Sequence, residues 1–168
     1  MAIPIILDCD PGTDDAFALL LALASREIAV LAVTVAGGNV GLDRTLANAR
    51  SLVALAGSRV PVYGGADRPL LGSFVNETRV HGVDGLGGIA LPAGDPVAPG
   101  VAADAIRTHV RTNLEPVTLV GIAPATNIAL ALATDPAILE NIERIVLMTG
   151  GWCCVALAPG AGHQHDAL

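Results

Sequence analysis

The sequence predicts an open, mostly parallel α/β sheet with helices on both faces. Three observations carry that expectation. Five short runs are apolar and β-branched throughout instead of alternating with polar residues, the pattern of strands covered on both sides. Stretches with helical spacing separate those runs, as crossover connections between parallel strands require. The turns after the runs collect Asp, Asn and Gly, and sheets of this kind bind ligands beyond the carboxyl ends of their strands.

Ile3 to Leu7 is the first expected strand, and Asp14 to Ala24 reads as the helix after it, with Thr13 as N-cap. Ile28 to Ala36 is the second strand. It ends in Gly37-Gly38-Asn39, which presents an amide at the carboxyl edge able to donate to and accept from a hydroxyl-rich ligand. From Asp43 to Ala56 the spacing of Leu46, Ala49, Val53 and Ala56 predicts a second amphipathic helix ended by Gly57, and Val60 to Tyr63 a short third strand. Gly64 to Gly100 is rich in Gly and Pro with little periodicity, and loops of that length are usually functional or mobile. Within it His81 stands among glycines, in a loop that could close over an acidic site. Val101 to Val110 is a further helix, Pro116 to Gly121 a fourth strand, and Ala123 to Asn127 the turn into a helix running through Ala133. Asp135-Pro136 starts a short helix to Asn141, and Ile145 to Met148 is a fifth strand ending at Thr149-Gly150-Gly151. Asp10, Asn39, the Ile122 region and Gly150 then all fall at one sheet edge.

Composition narrows the function. The 168 residues are 52% hydrophobic and 15% charged, which describes one domain able to bury a substantial core. A net charge of −7 and a pI near 4.8 argue against a nucleic-acid partner. All nine basic residues are Arg, so lysine chemistry and a Walker-type lysine are excluded. The apolar runs fall short of the roughly 20 residues that span a bilayer, so no membrane span is expected. Met-Ala-Ile-Pro lacks the positive start of a secretory signal, which leads to an expected cytoplasmic location. Cys9 and the adjacent Cys153-Cys154 match neither a zinc knuckle nor a disulfide framework.

The chemistry concentrates in Asp8-Cys9-Asp10-Pro11-Gly12-Thr13-Asp14-Asp15, four carboxylates within eight residues at a strand-to-helix turn. Like charges held a few Å apart repel, so the folded chain must protonate some, spread them in water or bind a cation. Carboxylate oxygens without a His or Cys cluster favour Ca²⁺ or Mg²⁺ over Zn²⁺. A solvated acidic turn that caps the helix is the bland alternative. An EF-hand loop starting at Asp8 would need Gly at its sixth position and Glu at its twelfth, which here are Thr13 and Leu19. A phosphatase of the haloacid dehalogenase type, which opens with Asp-x-Asp after a strand, would make Asp8 a nucleophile and Asp10 an acid/base.

Five separated stretches resemble the N-terminal half of an inosine/uridine-type nucleoside hydrolase. They are Asp8 to Asp15, Thr34 to Asn39, His81-Gly82, Thr118-Leu119-Val120 through Thr126-Asn127-Ile128-Ala129, and Val146 to Gly151. The resemblance implies a Rossmann-like α/β sheet that binds Ca²⁺ and hydrolyses the N-glycosidic bond of ribonucleosides, in an intact member that is a homo-oligomer. Carried over by position, it makes Asp10, Asp15 and the backbone carbonyl of Ile122 calcium ligands. Asp14 and Asn39 would hold the ribose hydroxyls, with Asp10 and His81 as the catalytic groups. Asp8 would be a hydrogen-bonding neighbour of the ligands.

The chain departs from the family's pattern after residue 151. Members run to about twice this length and next present an Asn, a Glu-Phe-Asn stretch that grips the ribose, and later a His-Asp pair. Residues 1–151 are therefore expected to be the N-terminal part of a nucleoside hydrolase-like domain, C-terminally truncated, and 152–168 an atypical tail outside the family sequence. His165-Asp166 matches the missing pair in letters alone, because the half-domain that would position it is absent. Two functional expectations follow: a ribonucleoside hydrolase impaired in this chain, or a non-catalytic remnant that binds calcium or ribose.

Overall fold

The computed structural model describes residues 2–71 and 76–148. Five strands, β1 (Ile3–Cys9), β2 (Ile28–Val35), β3 (Val62–Gly64), β4 (Val117–Gly121) and β5 (Ile142–Leu147), form one sheet in the order β3-β2-β1-β4-β5. Every neighbouring pair is parallel. The helices are α1 (Thr13–Ala24), α2 (Leu42–Leu55), α3 (Thr78–His81), α4 (Ala102–Thr112) and α5 (Thr126–Thr134), with a 3₁₀ turn over Pro136–Asn141. The chain winds outward from β1 through β2 to β3, then returns past β1 to β4 and β5. The order reverses between β1 and β4, the switch point at which sheets of this kind bind ligands.

Side-chain parity along β1 decides what lies beneath the site. Ile5, Leu7 and Cys9 pack on one face with Leu19 of α1 and Ala49, Leu52 and Val53 of α2. Ile6 packs on the other with Ile106 and Val110 of α4 and Ile128 and Ala131 of α5. Successive strand residues point to opposite faces, so Asp8 follows Ile6 toward α5 while Cys9 goes under α1 and α2. Asp8 and Cys9 are fully buried.

Several boundaries differ from expectation, each for a local reason. The N-cap of α1 is Gly12, and Thr13 is the first helical residue. Asp15 supplies the cap instead, its carboxylate accepting from the Gly12 N–H at 3.4 Å. Gly57 ends α2 with φ +64°, the left-handed stop that glycine favours. The third strand is Val62–Gly64 and not Val60–Tyr63. The fifth begins at Ile142 and not Ile145, because Glu143 and Arg144 are exposed on an edge strand. His81 ends a four-residue helix inside the stretch expected to be irregular, and it is buried. Thr149, Gly150, Gly151 and the whole of 152–168 lie outside the described residues. Among those described, no helix is long and apolar enough to cross a membrane.

Candidate active site

The carboxyl end of β1 runs straight into the acidic turn, and the turn folds back on itself through Asp15. The Asp10 N–H donates to Asp15 Oδ1 at 3.3 Å. Asp10 and Asp15 are only 4% and 3% exposed. Asn39, carried by the turn after β2, braces both. Its N–H donates to Asp10 Oδ2 at 2.7 Å, and its Nδ2 donates to Asp10 O and to Asp15 Oδ2, each at 3.0 Å. Both amide hydrogens are thereby engaged, so Asn39 keeps its carbonyl oxygen for a hydroxyl donor, where the sequence suggested that it could offer both kinds of bond.

Burial makes this cluster electrostatically unfavourable when fully charged. Desolvation first and the Asp15 charge second push Asp10 up to about 7, although the Asn39 N–H opposes the shift. Desolvation first, then the Asp14 charge, pushes Asp15 up to about 6, against the backbone N–H groups of Asp10 and Gly12. A cation between Asp10 and Asp15 would relieve that repulsion, and the all-oxygen donor set suits a hard one. Among the described residues no three His, Cys, Asp or Glu side chains group closely enough to hold a metal ion. Ile122 follows β4 directly, and its N–H donates to Asp8 O at 2.8 Å, which brings the turn after β4 against the exit of β1. Pro124 borders the same spot: a Cβ on Gly38 would stand 2.1 Å from Asp10 Oδ2 and 3.0 Å from Pro124 Cδ.

His81 reaches the turn from 68 residues away. Its Nδ1 lies 3.2 Å from the Thr13 N–H and 3.1 Å from Thr13 Oγ1. A backbone N–H can only donate, so Nδ1 accepts and the neutral ring carries its proton on Nε2, free as a donor. Asp14 Oδ1 is 3.8 Å from the same Nδ1, and the Asp14 side chain is 65% exposed, open to a ligand. Gly12 makes the approach possible, since a Cβ there would stand 2.6 Å from His81 Nδ1 and 2.7 Å from Asn39 Nδ2. Asp10, Asp14, Asp15, Asn39 and His81 thus come together as the sequence proposed, with Ile122 at their border.

Asp8 takes no part in that surface. Its Oδ1 accepts from Thr34 Oγ1 at 2.6 Å and from Asn127 Nδ2 at 2.9 Å, while Oδ2 is buried without a partner. Desolvation outweighs both bonds and pushes Asp8 up to about 6. Asn127 Oδ1 in turn accepts from the Ala66 N–H, and Ala66 O accepts from the Gly37 N–H. A continuous relay therefore runs from Asp8 to the glycines that present Asn39. Thr34 and Asn127 had no assigned role from sequence and Thr13 only that of N-cap, although all three lie in the stretches that carry the resemblance. A concavity lies at the opposite, amino-terminal edge of the sheet, lined by Ile3, Ile5, Ile28 and Pro116 with Glu143 and Arg144. Those two charges pair with each other at 3.7 Å, and no acid cluster converges there.

A family model described as inosine-uridine preferring nucleoside hydrolase matches residues 5–160, which includes part of the segment 152–168. The pyrimidine-specific ribonucleoside hydrolase RihA of Enterobacter sp. strain 638 is 49% identical over 154 residues, or 89% of this chain and 49% of that protein. RihA of Salmonella enteritidis PT4 is 44% identical over 164 residues, or 96% and 52% respectively. Among solved structures, the purine-preferring ribonucleoside hydrolase from Gardnerella vaginalis superposes with a TM-score of 0.82 at 33% identity, over 88% of this chain and 49% of that one. The plant nucleoside hydrolase PpNRh1 gives 0.83 at 33%, over 90% and 49%. The chain spans about half the length of the curated relatives it matches.

Proposed function

Because the chain belongs to the inosine-uridine preferring nucleoside hydrolase family, we propose that it forms part of a site that hydrolyses the N-glycosidic bond of ribonucleosides to free base and ribose. The observation that carries this reading is the convergence of Asp10, Asp15, Asn39 and His81 at the carboxyl edge of β1. Water must lose a proton as it attacks the anomeric carbon. Asp10 is the group that accepts that proton, from its place at the carboxyl end of β1 beside Asp15 and Asn39. Among the described residues its Oδ2 is held by Asn39 and its Oδ1 has no protein donor, so one oxygen is committed to position and the other is free. The Asn39 carbonyl and the exposed Asp14 carboxylate accept from the ribose hydroxyls, and anionic Asp14 also favours the oxocarbenium-like charge that develops on the sugar. The His81 Nε2–H faces the substrate as a donor, its ring fixed by Thr13. A calcium ion held by Asp10, Asp15 and the Ile122 carbonyl would supply positive charge that binds sugar hydroxyls and makes water more acidic.

The phosphatase alternative needs Asp8 as a nucleophile in contact with substrate. Asp8 has no exposed surface and its Oδ1 is engaged by Thr34 and Asn127, so the geometry supports the hydrolase reading instead. Action in the cytoplasm, as a homo-oligomer, belongs to the same reading; a buried free thiol at Cys9 suits a reducing compartment.

Fusing the chain to the remaining half of a relative's length gives the test. The fused enzyme should release base from uridine or inosine and leave phosphate monoesters intact. Asp10→Asn should lower turnover by about 10²-fold or more, as removal of a general base does, and Asp8→Asn less. A covalent aspartyl-phosphate trapped at Asp8, or base release indifferent to Asp10→Asn, would overturn the proposal.

A further inference from the structure

Resting on the reading of His81 as a group that faces the substrate, we propose that Asn48 is a positioning residue that latches the His81 loop onto the acidic turn. Asn48 lies in α2, away from the proposed ligand, yet its Nδ2 donates to Pro11 O at 3.1 Å and to Asp84 O at 2.8 Å. Both acceptors are backbone carbonyls, so the nitrogen end of the amide is fixed there; the oxygen end would face two acceptors with no proton to share. One hydrogen holds the residue after Asp10, and the other holds the loop three residues beyond His81.

Among the described residues the segment around His81 has few other tethers to the site. Before His81, the Glu77 N–H donates to Asn39 O at 2.9 Å. At His81 itself the contact is with Thr13. After His81, the bonds are the loop's own, from the Gly87 N–H to His81 O and from the Leu86 and Gly88 N–H groups to the Asp84 carboxylate, with Leu86 buried beneath. Among the described residues Asn48 is therefore the side chain that joins the far arm of this loop to the turn by direct hydrogen bonds. Gly85 shows how closely that arm is drawn in: its φ is +85°, and a Cβ there would stand 2.8 Å from Asn48 Nδ2 and 3.1 Å from Pro11 O.

Amide hydrogen exchange on the 168-residue chain tests the latch, with the His81 ring followed by NMR. Asn48→Ala should speed exchange over residues 82–88 by about tenfold or more and shift the His81 ring signals, while the amides of β1 and β4 keep their protection. Asn48→Asp keeps the shape but sets a carboxylate against two carbonyl oxygens, so it should open the loop further than alanine does. Gly85→Ala approaches the same open state from the other side, and combining it with Asn48→Ala should add little. Unchanged exchange over 82–88 in both Asn48 variants would overturn the proposal. So would an Asn48→Asp that behaves as wild type, which would mean packing in place of donation, or a rise in exchange spread evenly over α2 and β1. Exchange reads the latch and base release reads the function, so failure of one is not mistaken for failure of the other.

Discussion

Gly38 can be nothing larger because Asp10 occupies the space. A Cβ there would lie 2.1 Å from Asp10 Oδ2, the oxygen that the Asn39 N–H holds, so Gly38→Ala must push the carboxylate or the turn aside. If Asp10 and Asp15 are ligands of a hard cation, calcium should raise the melting temperature of the chain, and Gly38→Ala should weaken that rise at least tenfold in apparent affinity. Gly41→Ala, where a Cβ meets nothing within 4 Å, is the matched control and should leave the calcium response intact. Melting curves across a calcium series, up to tens of millimolar for so partial a site, decide this. A response that Gly38→Ala leaves untouched would remove Asp10 from the site. The acids and Asn39 were legible because they cluster locally or end a strand. Thr34, Asn48 and Asn127 were not, since each acts on a residue 26 to 119 positions away, and no local pattern records such a pairing.

At the scale of elements, β1, the turn after it and the first turn of α1 deliver three carboxyls into partly or wholly dry surroundings. Asp8, Asp10 and Asp15 are pushed to about 6, 7 and 6 from an unfolded value near 3.8. A carboxyl with its folded pKa raised binds its proton more tightly in the folded chain. The stability it contributes is complete below about pH 4 and is lost as pH rises through 6 to 7. Without calcium, urea midpoints in chelator should therefore fall between pH 5 and pH 7.5. The loss is on the order of a few kcal/mol for the three together, since each tenfold change in proton affinity is about 1.4 kcal/mol and partial hydration screens some of it. Asp8→Asn, neutral at every pH, should flatten the fall, and calcium should stabilise more at pH 7.5 than at pH 5. A midpoint that climbs over that range would show the three acids to be well solvated when charged. The elements themselves were readable where burial is two-sided. Continuous apolar runs marked β1, β2 and β4, whereas the polar Glu143-Arg144 start of β5 hid its first residues, as an exposed edge strand does. The four residues of α3 are too few to show a period.

At the scale of the whole molecule, on the proposed reading the described residues hold part of what ribosyl hydrolysis needs: Asp10 takes the proton from water, and Asn39 and Asp14 bind hydroxyls. On the same reading His81 faces the departing base, and among the described residues few bonds hold its loop to the turn. Groups that act together in a transition state are not compensated by those that remain, and each missing contact of the acid/base or electrostatic kind is worth about 10²-fold. The 168-residue chain covers about half the length of its relatives, and the edge strand β5 with the residue after it leaves Ile145, Val146 and Met148 36%, 48% and 60% exposed. Contiguous apolar surface of that kind promotes association. The purified chain alone, in excess calcium with uridine, inosine and a chromogenic riboside, should therefore turn over at least about 10²-fold more slowly than a full-length relative, and light scattering should show self-association that grows with concentration. Turnover that matches the relative, co-purifies with the chain and disappears in Asp10→Asn would show that these residues complete the site by themselves. The next groups to test would then be those outside the described residues, beginning with His163 and His165.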